Sequence, residues 1–312
     1  MIMKKILLSM VCLMMMGMQS VQAQVAIAAL HHNDSVKIYS ASGLQNAIND
    51  AVEGDTIYLS EGMFGGFTVT KPIAIIGAGQ TTSISSNVTI GKSGNTIEDG
   101  LLLSGLNIVQ DVTFIGNVSG VRISQCNIAV DCDMNNSSSY SFDNIEILMS
   151  KIGGLLLANA VKGLTVVASK ISRVNSDGAD EGSVTILNCN VNDSNKGYSS
   201  GGNNNFVNCI IGTAGPGVYQ NCLYKTTYSN YPVLYDCYQN SDFTLDDDLN
   251  CSLTDDELKA AGYVGVDNTW VGINGGEVQY SLVMPVVQVT EHSVEVDQTE
   301  RKLKVSLKLG NK

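Results

Sequence analysis

Basic side chains are scarce in this sequence of 312 residues. Lysine and arginine total 18 against 30 aspartates and glutamates, which gives a net charge of −12 at neutral pH. Because binding to phosphate groups needs clustered Lys and Arg, this balance argues against nucleic acid and anionic membranes as partners. The chain has three histidines, and all of them lie outside the repeats described below. A Ser-His-Asp or His-metal site on those repeats is therefore not expected.

Long apolar runs are also lacking after the N-terminus. Lys4 and Lys5 precede an apolar run, and small residues follow it at Val21-Gln22-Ala23, which is typical of a secretory signal peptide over residues 1–23. We therefore expect an exported protein, periplasmic, on the cell surface or extracellular, with no transmembrane segment after cleavage. Because residues 1–23 carry two lysines and no acid, their removal would change the net charge from −12 to −14.

One short pattern returns again and again between residues 101 and 237. Its full copies are LLLSGLNI (101–108), VRISQCNI (121–128), IEILMSKI (145–152), LTVVASKI (164–171) and VTILNCNV (184–191), and three looser copies follow. An alternating strand that recurs about every 20 residues is typical of a solenoid. The sequence therefore predicts an all-β parallel β-helix in which the copies stack.

Each copy has an anchor position, and five of the seven cysteines left after residue 23 occupy it. The anchors are Leu106, Cys126, Ser150, Ser169, Cys189, Cys209, Cys222 and Cys237. Because neighbouring turns of a solenoid lie about 4.8 Å apart, disulfides between adjacent anchors are possible by spacing in an exported protein. We interpret the cysteines instead as a stacked row of buried thiols.

A helix is predicted before the repeats. Ser42 and Gln45 have the spacing of a capping box, and apolar residues from Leu44 to Val52 share one helical face. The block LQNAINDAVEGDTIYLSEGMF (44–64) with TVTKPIAIIGAG (68–79), together with the repeats as far as Cys237, resembles secreted right-handed parallel β-helix proteins of the pectate-lyase-like superfamily. The resemblance implies a right-handed solenoid whose open first turn is covered by the helix. It covers about 200 residues and does not specify a function, since that superfamily includes lyases, hydrolases, esterases and non-catalytic surface proteins.

The rest of the chain is divided by changes in pattern. Thr254 and Glu257 form a second capping box, which favours a short helix there over a calcium loop in the surrounding acids. Residues 264–276 resemble a closing segment found after such β-helices. The predicted units are a signal peptide (1–23), an irregular lead-in (24–41), a β-helix (42–240) with its cap helix (42–53), a C-terminal capping segment (241–285) and a β-hairpin tail (286–312).

Catalytic β-helices act on glycosidic links with clustered carboxylates, together with a basic residue in the lyases. The candidates here are Asp177 and Asp180, in a stretch that resembles the first aspartate motif of polygalacturonases, and Arg173 as a base. The rest of the polygalacturonase pattern is missing. An Asn-, Asp- and Gly-rich sequence is also what a plain turn requires, so the turn alternative stays open.

Calcium is the one cofactor that the acids suggest, although none is required. Asp131 and Asp133 have the alternate spacing of a calcium loop, and Asp180 is a third candidate ligand from a later turn. The loop lacks the glycine and closing glutamate of an EF-hand. Solvated turn acids are the alternative interpretation.

Tyrosine supplies the candidate binding surface. Six of the twelve tyrosines lie between residues 219 and 238, and sugar rings pack well on aromatic faces. The predicted ligand-binding residues are Tyr219, Tyr224, Tyr228, Tyr231 and Tyr235. Covering a tapering core is the alternative role for the same side chains.

Two functions follow as hypotheses. The first is a binding or structural role without catalysis, in which the flank of the solenoid binds a glycan or a cell-surface partner. The second is a polysaccharide lyase or glycoside hydrolase that acts on acidic polysaccharide. They differ in whether the acids of residues 131–180 converge on one exposed sheet face beside a cation.

Overall fold

A computed structural model describes residues 25–135, 139–157, 161–176, 184–194, 204–228, 232–260, 280–282, 287–297 and 302–311. The chain is an all-β parallel solenoid, in which 24 strands form one hydrogen-bonded system and two further strands pair separately. The helices in the described ranges are two short α-helices and one 3₁₀ turn. Neither α-helix is long and apolar enough to cross a membrane.

The first ladder contains one strand from every turn, each hydrogen-bonded in parallel to the strand of the next turn. Its strands are β3 (Thr56–Leu59), β6 (Ala74–Ile76), β9 (Leu101–Ser104), the end of β11 (Val112–Ser124), β13 (Phe142–Leu148), β15 (Val161–Val167), β17 (Val184–Leu187), β19 (Asn204–Val207), β21 (Gly217–Gln220) and β23 (Pro232–Tyr235).

A second ladder begins after the tight turn that ends each first-ladder strand. It stacks β4 (Gly62–Phe64), β7 (Thr82–Ile84), β10 (Asn107–Ile108), β12 (Asn127–Met134), β14 (Lys151–Leu157), β16 (Lys170–Ser176), β18 (Asn190–Ser194), β20 (Ile210–Ala214), β22 (Leu223–Thr227) and β24 (Tyr238–Gln239). In the early turns a third face is formed by β5 (Phe67–Val69), β8 (Val88–Ile97) and the start of β11, which continues onto the second half of β12.

Alternation along each strand builds one continuous core. In the first ladder the inward positions stack in register as a single row of fully buried side chains, namely Ile57, Ile75, Leu103, Ile123, Ile147, Val166, Ile186, Phe206 and Tyr219. The neighbouring positions point outward and are partly exposed. This period of two is what the sequence repeat predicted.

The anchor residues stand in line, as predicted. The carbonyl of each anchor accepts a hydrogen bond from the residue that follows the next anchor, for example Lys151 N to Cys126 O at 2.9 Å and Lys170 N to Ser150 O at 2.9 Å. The seven cysteines of the described residues are free thiols, five of them buried. Of the five anchor cysteines, Cys126, Cys189, Cys209 and Cys222 are buried as expected, whereas Cys237 on the last turn is half-buried.

Residues before the first parallel strand form a hairpin, and the predicted irregular lead-in is wrong. β1 (Ile27–His32) pairs antiparallel with β2 (Ser35–Ser40) on one side and with β3 on the other. The strands are short, and Asn33 takes a left-handed turn conformation with φ of 49° between them. Two six-residue strands joined by two polar residues contain too few alternating apolar positions for the hairpin to be predicted from the sequence.

The helix that follows is α1 (Leu44–Asp50), preceded by the 3₁₀ turn Ala41–Gly43. Its buried residues join the solenoid core. The predicted capping box is wrong, because Gly43 is the N-cap and the Ser42 hydroxyl lies 3.1 Å from that of Ser40. The Gln45 amide group instead bonds the main chain of Thr68 at 2.8 and 3.0 Å, which ties the helix to β5.

The chain after the last turn runs back along the flank of the solenoid. We call residues 240–260 the strap. Phe243 and Leu258 pack against the outward-facing Ile210 and Leu223, and Lys151, Lys170 and Asn190 bond strap residues further back along the same row. The strap ends in α2 (Asp255–Ala260), where Thr254 and Glu257 exchange the predicted capping-box bonds. Finally, β25 (Val287–Asp297) and β26 (Lys302–Asn311) form the predicted antiparallel pair.

Candidate functional site

One outer face of the solenoid carries a row of acids interrupted by a single glycine and a single arginine. Strand register places Asp131 beside Gly154, Gly154 beside Arg173, and Arg173 beside Asp193. Asp111 precedes Asp131 in the same row, and its carboxylate accepts the Asp131 main-chain N–H at 3.0 Å. Alternation along the strands turns all these residues away from the core. We call this row the acidic face.

Arg173 reaches across the glycine to bind Asp131. Its guanidinium lies 2.6 Å from the Asp131 carboxylate, although the two residues are two turns apart. A Cβ atom at Gly154 would lie 2.1 Å from Asp131 Oδ1 and 2.8 Å from Arg173 Nε. The missing side chain at Gly154 is therefore what allows the ion pair to form.

The Asp131 side chain is 16% exposed, and its environment opposes ionisation. Burial is the largest influence and raises the pKa of this carboxyl above its ordinary value; the attraction of Arg173 acts against that rise, and the nearby acids Asp111 and Asp133 add to it. Farther along the face, the Tyr228 hydroxyl bonds the Asp193 carboxylate at 3.0 Å. The structure thus brings together Asp131 and Arg173, which the sequence suggested separately as metal ligand and base.

The described acids of this face already have hydrogen-bond partners within the protein. Asp131 Oδ1 already accepts a hydrogen bond from Arg173, and Asp133 Oδ1 accepts the main-chain N–H of Asn135 at 2.8 Å within its own turn. Within the described ranges, no group of three or more His, Cys, Asp or Glu side chains has a metal-binding arrangement. Asp177 and Asp180, the other candidates for catalysis and calcium, lie outside the described residues. Calcium binding stays a prediction.

A cleft of about 350 Å³ opens on the outer face of the first ladder. It is lined by Asp99, Gly100, Leu101, Leu102, Gly120, Val121, Arg122, Asn144 and Glu146. Arg122 and Glu146 occupy the same outward row on adjacent turns and make two contacts, Nε to Oε2 at 2.8 Å and Nη2 to Oε2 at 2.6 Å. Both side chains remain about half exposed, so each keeps hydrogen-bonding capacity for a ligand.

Left-handed residues shape the floor of this cleft. Gly100, Gly120 and Asn144 each precede one of the paired residues Leu101, Val121 and Ile145 of the first ladder, with φ of 117°, 64° and 49°. A Cβ atom at Gly120 would lie 2.1 Å from Asp99 Oδ1, so only glycine lets that carboxylate lie against the main chain. The sequence interpretation missed this cleft. The available signal was a pair of turn-forming residues directly before each repeat, as in Asp99-Gly100, Ser119-Gly120 and Asp143-Asn144.

The tyrosines do not form one platform. Tyr219 is 0% exposed, stacks on Phe206 with ring centroids 4.7 Å apart, and bonds Ser194 and Gly215 through its hydroxyl. Its predicted role in ligand binding is wrong, because its position in β21 faces the core. Tyr224 packs partly against the core, whereas Tyr235 is 57% exposed on the last strand. Tyr231 lies outside the described residues.

The N-terminal hairpin contributes a polar pair that the sequence interpretation also missed. His32 Nδ1 lies 2.8 Å from Asp55 Oδ1, and Asp55 Oδ2 accepts the Val52 main-chain N–H at 2.8 Å. Asp55 is buried, and its pKa is lowered: burial, the largest influence, opposes ionisation, but the bond from Val52 and the pairing with His32 outweigh it. The pair joins the hairpin to the loop after α1.

Comparison of the chain with protein-family models, with curated proteins and with solved structures gives no match.

Proposed function

We propose that this chain is an exported, non-catalytic β-solenoid that binds a glycan on its outer face. The observation that supports the proposal best is the cleft beside β9, β11 and β13, where Asp99, Arg122, Asn144 and Glu146 present donors and acceptors within about 350 Å³. Sugar hydroxyls both donate and accept hydrogen bonds, so a site of mixed carboxylate, amide and guanidinium groups matches their chemistry.

The scaffold around the cleft favours binding by a preorganised site. Its polar side chains project from three adjacent strands of one ladder, whose inward neighbours Leu103, Ile123 and Ile147 are fully buried. A ligand that meets fixed side chains loses less free energy to ordering of the protein. A solenoid also repeats the same outward spacing along its length, which suits a polymeric ligand.

The test is binding to a glycan array by the native protein and by two cleft variants, Arg122→Ala and Glu146→Gln. We expect both variants to lose at least tenfold in affinity for the glycans that the native protein binds. Arg173→Ala is the matched control, because it breaks another exposed arginine–carboxylate pair on a different face. Equal binding by the native protein and both cleft variants would contradict the proposal.

A polysaccharide lyase or glycoside hydrolase that acts on acidic polysaccharide is the second candidate. The convergence of Asp111, Asp131 and Asp133 with Arg173 on one outer face favours it. Arginine would bind a uronate carboxylate, and a buried acid with a raised pKa is suited to proton transfer.

Product analysis on acidic polysaccharides, with and without added calcium, separates this candidate from the first. Cleavage that Asp131→Asn and Arg173→Ala abolish, and that Arg122→Ala leaves unchanged, would replace the binding proposal with the enzymatic one. Intact polysaccharide under all conditions would exclude the enzymatic candidate for these substrates.

A further inference from the structure

The two ends of the solenoid differ in how they protect their outer strands. At the C-terminal end, β23 begins with Pro232, which has no N–H to donate, and β24 is only two residues long. Proline and short length are both features that block pairing with another strand. At the N-terminal end, β2 is six residues long and pairs with β1 alone among the described residues.

Strand β2 has an unusually apolar surface for such an edge. Val36 is 54% exposed and Ile38 is 56% exposed, both on the outer face of the hairpin. Register places Ile38 beside Ala29 and Ala29 beside Tyr58, so the exposed apolar surface continues inward to β3. An exposed edge strand with β-branched side chains and no proline is a site for pairing with another chain.

The one charge on β2 is already neutralised. Lys37 Nζ bonds Asp50 Oδ2 at 2.6 Å and lies 4.9 Å from the centre of the Tyr39 ring, and the Tyr39 hydroxyl bonds the same carboxylate at 2.5 Å. Lysine protects an edge strand by keeping its charge in solvent. Here the Lys37 side chain is 63% exposed on the face opposite to Ile38, but its charge is offset by Asp50, so two copies of this edge do not repel each other as two unpaired lysines would.

We propose that β2 pairs with β2 of a second copy of this chain, antiparallel and across a two-fold axis. Charge selects the register. Pairing centred on Ile38 puts Ile38 opposite the partner's Ile38 and Lys37 opposite the partner's Tyr39, a residue whose hydroxyl bonds Asp50 within each copy, so that no like charges are opposed. Pairing centred on Lys37 would put Lys37 opposite the partner's Lys37, and like charges at opposed positions are destabilising.

The dimer joins two solenoids end to end and turns two exposed edges into one interior strand pair. The outer faces remain on one side of the combined sheet, which brings the two copies of Val36, Ile38 and Tyr58 into one apolar surface. A single pair of six-residue strands buries less than the roughly 1,200 Å² at which stable interfaces begin. The dimer therefore dissociates on dilution.

Sedimentation velocity over a range of protein concentrations tests the proposal. We expect a monomer at low concentration and a dimer at high concentration for the native protein. Ile38→Lys puts two lysines opposite each other at the axis, and we expect at least a tenfold weaker dimer. Met63→Lys, which changes another exposed apolar side chain on β4, is the matched control and keeps the native dimer.

A cross-linking measurement covers the case in which Ile38→Lys does not fold. Ile38→Cys lies on the two-fold axis, so mild oxidation is expected to give a disulfide-linked dimer in high yield, whereas Met63→Cys does not. A native protein that stays monomeric at all concentrations would overturn the proposal. So would a dimer that Ile38→Lys leaves unchanged, or equal cross-linking of the two cysteine variants.

Discussion

At the scale of single residues, the fold depends on a turn of two residues that is repeated on every level. The first has a left-handed conformation, with φ of 53° at Gln125, 48° at Met149 and 52° at Asn188. The second is the anchor, whose thiol or hydroxyl, from Cys126 onward, donates to the carbonyl two residues earlier, as in Ser150 Oγ to Leu148 O at 2.9 Å. Five anchor side chains also accept a main-chain N–H from the preceding turn, so buried donors find partners inside the core; they are those of Ser150, Ser169, Cys189, Cys222 and Cys237.

Serine and cysteine perform the same task in this row. Ser150 Oγ accepts the N–H of Cys126 at 3.2 Å, and Cys189 Sγ accepts the N–H of Ser169 at 3.4 Å. Ser150→Ala removes the acceptor of a buried N–H, and we expect a loss of about 1–3 kcal/mol in the free energy of unfolding. Ser150→Cys keeps an acceptor at that position and is expected to lose less than half as much. Urea unfolding measures both, and equal losses would contradict this role for the anchor side chain.

The buried carboxylate of Asp55 predicts a pH dependence of stability. Its pKa is lowered in the folded state, so its ionisation stabilises the fold at pH values above the ordinary aspartate pKa of about 3.9. This contribution is lost as the pH falls through the lower folded-state pKa. We expect Asp55→Asn to reduce stability at pH 7 and to flatten the decline of stability between about pH 5 and the acid transition.

Thermal unfolding at a series of pH values checks this prediction. Asp34→Asn is the matched control, because Asp34 is an exposed acid in the turn of the same hairpin. A stability difference between the native protein and Asp55→Asn that stays constant with pH would show that the Asp55 charge has no such role.

At the scale of elements, the strap is held to the solenoid by the outward row that follows the anchors. Lys151 and Lys170 bond Asp248 and Asn250 at 2.6 Å each, and Asn190 donates to the Leu249 carbonyl at 2.8 Å. Lys170 is largely buried, and that burial lowers its pKa. Apolar contacts replace these polar ones in later turns, where Phe243 and Leu258 cover Ile210 and Leu223.

Because Phe243 is fully buried at that contact, Phe243→Ala is expected to release the strap before the solenoid unfolds. Removing a buried phenylalanine costs about 3–5 kcal/mol, which exceeds the roughly 1 kcal/mol that a single polar contact contributes to stability. Hydrogen exchange should rise sharply over residues 241–260 and stay unchanged in β13 and β15. Leu234→Ala on the last strand is the control. Equal protection of the strap in both variants would contradict the prediction.

Sequence patterns predicted the repeated strands and the single elements with a strong local pattern, such as α1 and the β25–β26 pair, and missed the elements whose local pattern is weak. The alternation of Ile147, Val166 and Ile186 recurs in every turn and reveals the core face. The hairpin β1–β2 is short and single, and the path of the strap depends on partners such as Lys170 that are distant in sequence. The ion pair of Asp131 with Arg173 could not be predicted for a related reason, since it depends on which residue of the intervening turn, Gly154, stands between them.

At the scale of the whole molecule, the core is a line rather than a sphere. Each turn contacts the turns before and after it, so stability is close to a sum of terms for turns and their interfaces. The hairpin and α1 lie at the N-terminal end. At the other end, Leu234 is the inward residue of β23, the last strand of the first ladder, and its side chain is 37% exposed. Unfolding of the solenoid should therefore begin at the C-terminal end and proceed turn by turn.

The rate at which the anchor thiols are alkylated measures this unfolding. Cys222 donates to its neighbours within the core, and Cys237, the next anchor, is only half-buried. Burial raises the pKa of the Cys126 thiol to about 12, so the thiolate needed for alkylation is suppressed until the turn opens. In rising urea we expect alkylation of Cys237 first, then of Cys222, Cys209 and Cys189, and of Cys126 last.

Mass spectrometry of alkylated peptides measures this order, with Cys251 of the strap reacting early and independently because it is half-buried outside the anchor row. Leu234→Ala weakens the last turn, so it should bring forward the alkylation of Cys222 and leave that of Cys126 unchanged. If the five anchor cysteines react together at one urea concentration, the solenoid opens as a single unit. The free energy of the interfaces between turns would then exceed the intrinsic stability of any single turn.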